Sequence, residues 1–94
     1  MKTVNLFGCG GHGRVIASII DSLGEYKINY YDDNLKKFQN EKNFIGNLDD
    51  LIKNSSNNVP AFVAIGNNKA RKFIFNLLQK NNIEIASFIH PNAF

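Results

Sequence analysis

"LFGCGGHGRV", residues 6–15, sets four glycines within six positions, after a short apolar run and before a helical one. Val4, Leu6 and Phe7 read as a strand over Thr3–Phe7 that stops at Gly8. From Gly11 the period changes. Val15, Ile16, Ile19, Ile20 and Leu23 recur at steps of one, three and four, the apolar stripe of a helix, and Gly24 is its expected C′ stop. A glycine-rich turn from strand to helix is the opening of a βαβ unit, and it decides the fold class.

The rest of the chain repeats that grammar. Lys27–Tyr31 reads as a second strand ending at Asp32-Asp33, and residues 34–43 as a polar surface loop. Asn47 is an N-cap, with Asp49 and Asp50 placed in the first turn of a short helix reaching Asn54. "NSSNN", 54–58, is a turn. Pro60 opens an apolar strand, Ala61–Ile65, expected to be central, and Gly66 ends it. Asn67 or Asn68 caps a third helix carrying Ala70, Phe73, Ile74, Leu77 and Leu78, closed by Asn81-Asn82. Glu84–Ile89 is a last, more alternating strand at an edge, and His90-Pro91 ends the unit. The alternation β-α-β-α-β-α-β implies a Rossmann-like three-layer α/β/α domain with a four-stranded parallel sheet of order 2-1-3-4.

Bulk properties narrow the function. The 94 residues suit one small domain, and 44% apolar residues supply one modest core. The net charge of +3 is spread along the chain, with no basic arm of the kind that grips nucleic acid. An anionic small molecule suits that excess better. Cys9 is the single cysteine, so no internal disulfide forms, and a cytoplasmic location is expected. No apolar run approaches the roughly 18 residues of a membrane span, and the N-terminus has no signal-peptide h-region. One cysteine and two distant histidines make no metal site.

Gly8, Gly10 and Gly13 satisfy G-x-G-x-x-G in the strand–turn–helix context that gives it meaning. Gly8 permits a tight turn, Gly10 leaves room for a phosphate against the backbone, and Gly13 lets the helix sit close to the sheet. The helix N-terminus then presents unpaired N–H groups to an anion. A glycine-rich turn without a ligand is the alternative. In the order 2-1-3-4, strands 1 and 3 are neighbours whose connections leave in opposite directions, so a ligand crevice lies between Gly8–Gly13 and Gly66-Asn67-Asn68. Asp32 stands where an acidic side chain hydrogen-bonds a ribose; a solvated turn carboxylate is the alternative, and Asp33 is the weaker candidate. His12 can donate to a phosphate or sugar, or cap its own turn. Arg14 and Arg71 follow the two glycine turns closely enough to reach the crevice, or lie on solvated helix faces.

"FGCGGHGRVIASII", "YYDDN", "AIGNNKARKFI" and "SFIHPNA", in this order and spacing, resemble the N-terminal domain of bacterial sugar O-/N-acyltransferases. That family includes sialic acid O-acetyltransferases and acetyltransferases acting on UDP-4-amino-sugars, and the resemblance spans essentially the whole chain. It implies a Rossmann-like domain that binds the nucleotide-sugar. Gly10, Gly11, His12 and Gly13 would face the diphosphate, Asp32 and Asp33 would lie near the nucleoside, and Gly66, Asn68 and Arg71 would line the other wall. In the family a left-handed β-helix follows, trimerises, binds acetyl-CoA and carries the general-base histidine. The sequence stops at "HPNAF", where that β-helix begins, so binding without catalysis is expected, with a monomer for this chain and a trimer for full-length members. His90 is the junction histidine, not the catalytic one. Two other readings stand beside this one: an NAD(H)-type dinucleotide-binding module, and a regulatory domain without a ligand.

Overall fold

The computed structural model describes residues 2–56 and 59–85. The elements are β1 (Lys2–Phe7), α1 (Gly11–Ser22), β2 (Tyr26–Tyr31), α2 (Leu35–Phe38), β3 (Phe44–Gly46), α3 (Leu48–Asn54), β4 (Ala61–Val63) and α4 (Asn68–Lys80). The four strands form one sheet in the order β3-β2-β1-β4, with every pairing parallel. The α/β class and the parallel four-stranded sheet are as expected, and the expected neighbours 2-1-3 are β2, β1 and β4. The start of the last expected strand also lies where the sequence placed it. The Ala61 N–H donates to the Glu84 carbonyl at 2.9 Å, and Ala61 pairs in parallel with Ile85. Residues 86–89 and the His90-Pro91 terminus lie outside the described residues, as do positions 57 and 58 of the expected turn.

Three elements differ from the expectation. The stretch 34–43 is not all loop. It holds the single turn α2, capped by the Asn34 side chain, which accepts from the Lys37 N–H at 3.2 Å, and it buries Phe38. The strand β3 follows beside β2 and was not expected. Three residues are too few to show a period of two, and one buried aromatic in a polar run leaves little pattern to read. The apolar strand at 61–65 is shorter, Ala61–Val63, and β1 takes the central place, with Val4 and Leu6 fully buried.

Alternation along β1 divides the core. Val4 and Leu6 face α1, where Ile16, Ala17 and Ile20 meet them beside Ile28 of β2. Phe7 faces the other way, into a cluster of Tyr31, Leu51 of α3, Val63, and Ile74 and Leu78 of α4. The helix stripes are narrower than the sequence suggested, because only one row of each helix meets the sheet. Val15 and Leu23 of α1 and its C-cap point outward, and Phe73 of α4 is 65% exposed. Gly24 does stop α1, at φ +70° with its N–H on the Asp21 carbonyl.

Asn5 is fully buried in mid-strand. Its amide donates to Ser55 Oγ at 3.0 Å and its carbonyl accepts from Asn29 at 3.5 Å, while the Asn54 amide donates to the Tyr31 hydroxyl at 3.3 Å. This network ties the C-terminal end of α3 to the sheet. At the other end of α3, Asn47 and Asp50 make a reciprocal capping box. Among the described residues no helix is long and apolar enough to cross a membrane.

Candidate functional site

The strand ends position the site. Registers Phe7↔Tyr31 and Phe7↔Val63 bring β1, β2 and β4 to one edge, so the turns that follow them emerge together. The helices after β1 and β4 pack on opposite faces of the sheet, which places a topological switch point between these neighbours.

The glycines divide by what surrounds them. Gly8 has φ +113°, and a β-carbon there would stand 2.5 Å from the Ala64 carbonyl oxygen. Gly13 is buried in the first turn of α1, and a β-carbon there would overlap the Gly8 carbonyl. Both are demanded by close packing, as the motif predicts. Gly10, Gly11 and Gly66 have the opposite surroundings: β-carbons there would meet nothing within 4 Å. These three glycines border open space where the two turns leave adjacent strands.

Gly10 is the N-cap of α1 and supplies no side-chain acceptor. The first intrahelical bond runs from the Arg14 N–H to the Gly10 carbonyl at 2.9 Å, so the N–H groups of Gly11, His12 and Gly13 precede the ladder. The other three helices begin differently. Asn34, Asn47 and Asn67 each accept a hydrogen bond from their own first turn. The choice between Asn67 and Asn68 as the cap of α4 thus falls to Asn67, which accepts from the Ala70 N–H at 2.9 Å. Asn68 accepts instead from the Arg71 guanidinium at 2.8 Å.

Other candidate residues go elsewhere. His12 is exposed on the first turn of α1, with no partner among the described residues, so it does not cap its own turn. Arg14 leans toward the segment after α2, where its guanidinium stands 4.0 Å from the Glu41 carboxylate. That pair spans a cleft of about 630 Å³ between α1 and α2, lined among others by Cys9, Tyr30, Phe38 and Lys42. Glu41, Lys42 and Phe38 were not singled out in the sequence. The only signal for them was one phenylalanine in a polar run.

The two aspartates are structural anchors. Asp32 Oδ2 accepts from the Cys9 N–H at 2.8 Å and Oδ1 from the Asn34 N–H at 2.8 Å. Asp33 Oδ1 accepts from the Leu48 N–H at 3.0 Å, fastening β2 to the start of α3. The Cys9 thiol is buried and contacts the Tyr31 carbonyl at 3.6 Å. Burial foremost, then the carboxylates of Asp32 and Glu41, push it up to about 11. A thiol held protonated in this way is a poor nucleophile. Among the described residues no cluster of metal-ligating side chains is present.

Comparison with known proteins gives these features a context. The family described as the PglD N-terminal domain matches residues 3–78. A UDP-N-acetylbacillosamine N-acetyltransferase of Bacillus subtilis (strain 168) is 29% identical over 97 residues, covering 99% of this chain and 45% of the relative. The acetyltransferase domain of PglB from Neisseria gonorrhoeae FA1090, solved in complex with acetyl coenzyme A, superposes with a TM-score of 0.81 at 31% identity, over 96% of this chain and 44% of that one. A further structure of the same domain gives a TM-score of 0.77, again at 31% identity, over 97% and 45%. The chain thus spans less than half the length of these relatives.

Proposed function

Since this chain belongs to the PglD N-terminal domain family, we propose that it is the nucleotide-sugar-binding domain of an acetyl-CoA-dependent sugar acetyltransferase of bacterial glycan biosynthesis, with a UDP-sugar as its ligand. The observation that carries this reading is the start of α1. Gly10 leaves the helix without a side-chain cap, and β-carbons at Gly10, Gly11 and Gly66 would meet nothing within 4 Å. Donors in that arrangement, at the positive end of a helix dipole, suit the diphosphate of a nucleotide-sugar. Gly66, Asn68 and Arg71 form the opposing wall, and His12 stands on the same first turn as a donor to phosphate or sugar.

In this reading the chain holds the acceptor substrate and contributes no catalytic residue. The acyl donor, acetyl-CoA, and the general base belong to the β-helix that full-length members of the family carry. Acetylation needs a base beside the acceptor amine or hydroxyl and a bound donor. The domain supplies neither. It supplies orientation.

Calorimetric titration of the purified chain with UDP, a UDP-amino-sugar and NAD tests the reading. Binding of the two uridine nucleotides, with NAD weaker or absent, is expected. Binding of NAD without UDP overturns the proposal in favour of a dinucleotide module. Binding of none of them by a folded chain favours a domain without this ligand.

A further inference from the structure

We propose that Asp32 controls anion binding from behind the glycine loop, as a positioning residue that aims the N–H groups of α1, and not as a contact to the ribose. The proposal rests on the nucleotide-sugar reading above. The loop from Gly8 to Gly13 contains four glycines, whose backbone freedom would leave it without a fixed shape unless something holds it. Its two ends are held by packing: Gly8 against the Ala64 carbonyl, and Gly13 against Gly8. Its middle is held through Cys9, whose N–H donates to Asp32 Oδ2 at 2.8 Å and whose thiol contacts the Tyr31 carbonyl at 3.6 Å.

That tether is itself rigidly mounted. The Asp32 N–H donates to the Gly46 carbonyl at 2.9 Å, and Oδ1 is engaged by the Asn34 N–H. The carboxylate is therefore fixed on both sides by charge-assisted bonds from backbone donors. Alongside it, the Gly8 N–H donates to the Tyr31 carbonyl at 2.8 Å, so two successive loop residues are sewn to the end of β2. With Cys9 held, Gly10 takes an extended conformation (φ −73°, ψ −165°) as the N-cap, and the exposed residues Gly11 and His12 open the first turn of α1. Both carboxylate oxygens accept bonds within the protein, so Asp32 has a structural task that needs no ribose.

A positioning role and a ribose contact differ in what they do to a ligand that has no ribose. Titrate wild type, Asp32→Ala and Asp32→Asn with UDP and with inorganic pyrophosphate. Positioning predicts that Asp32→Ala weakens both ligands by the same factor, tenfold or more. Asp32→Asn retains one acceptor for Cys9 and is expected to lose less for both, and it also serves if the alanine variant fails to fold. Loss of UDP affinity with pyrophosphate affinity unchanged overturns the proposal in favour of a ribose contact, as does unchanged affinity for both. Wild type that binds neither ligand removes the nucleotide-sugar reading and this proposal with it. Amide exchange reports on the tether directly: the Cys9 N–H should exchange faster in Asp32→Ala, and equal protection in the two proteins overturns the tether.

Discussion

Gly13 lies against the carbonyl of Gly8, so close that a β-carbon on Gly13 would overlap it. This contact seats the first turn of α1 on the end of β1. The atoms in the way are backbone, so no side chain can move aside. Gly13→Ala is expected to destabilise the fold by about 1–3 kcal/mol, the usual range for forcing a methyl group into a packed interior. Gly11→Ala, one turn position away and facing open space, should leave stability unchanged or slightly raised. Urea unfolding of the two variants side by side checks the contrast, and equal midpoints would contradict it.

Gly10 separates binding from folding. A β-carbon there meets nothing, and its φ of −73° is open to any residue. Gly10→Val is expected to stay folded, with a loss of at most about 1 kcal/mol at the N-cap, and to show no UDP binding, because the side chain takes the space a phosphate would need. Calorimetry and thermal denaturation on one sample read both halves. Wild-type affinity in this variant would mean that the loop is not the cradle.

Cys9 ties stability to pH. Burial, reinforced by Asp32 and Glu41, raises its thiol from 9.0 to about 11 in the folded chain. A raised pKa means that folding favours the protonated thiol, so the contribution is complete below pH 9 and disappears as pH climbs through about 11. Below pH 9 the thiolate is therefore scarcer in the folded chain than in the unfolded one, and iodoacetamide should alkylate native protein more slowly by a factor on the order of ten or more. Equal rates in buffer and in denaturant would show that the thiol is not buried.

Asn5 carries the buried polar network beneath α3. Asn5→Ala leaves Ser55 and Asn29 without their partner and opens a small cavity, and a loss of about 1–3 kcal/mol is expected in equilibrium unfolding. UDP affinity should stay at the wild-type value, since the network lies away from the glycine loop. A variant of wild-type stability would show that the network contributes nothing net.

The βαβ grammar is local, and for that reason it is readable from the chain. The change of period at Gly11, the capping box from Asn47 to Asp50, the stop at Gly24 and the fingerprint Gly8, Gly10 and Gly13 each depend on neighbours a few residues away. The parallel sheet follows from the alternation of such units. Elements that depend on distant partners were not readable. β3 and α2 exist because Tyr30 and Tyr31 offer an edge to Phe44 and Gly46, and because the fold buries Phe38. Which helix rows turn inward, sending Val15 and Phe73 to solvent, is likewise set by where the sheet lies.

The same division runs through the site. Sequence spacing marked the glycine turn Gly8–Gly13 and placed Asp32 at the end of β2, and from that spacing a ribose contact was the natural expectation. Folding brings the Asp32 carboxylate 2.8 Å from the backbone of Cys9, 23 residues earlier, and a hydrogen bond between a side chain and a distant backbone N–H leaves no trace in the pattern of residues. It likewise brings the Arg14 guanidinium within 4.0 Å of the Glu41 carboxylate, 27 residues later in the chain. Residue types and periods are properties of the chain, whereas the direction in which each polar group spends its hydrogen bonds is a property of the packed sheet.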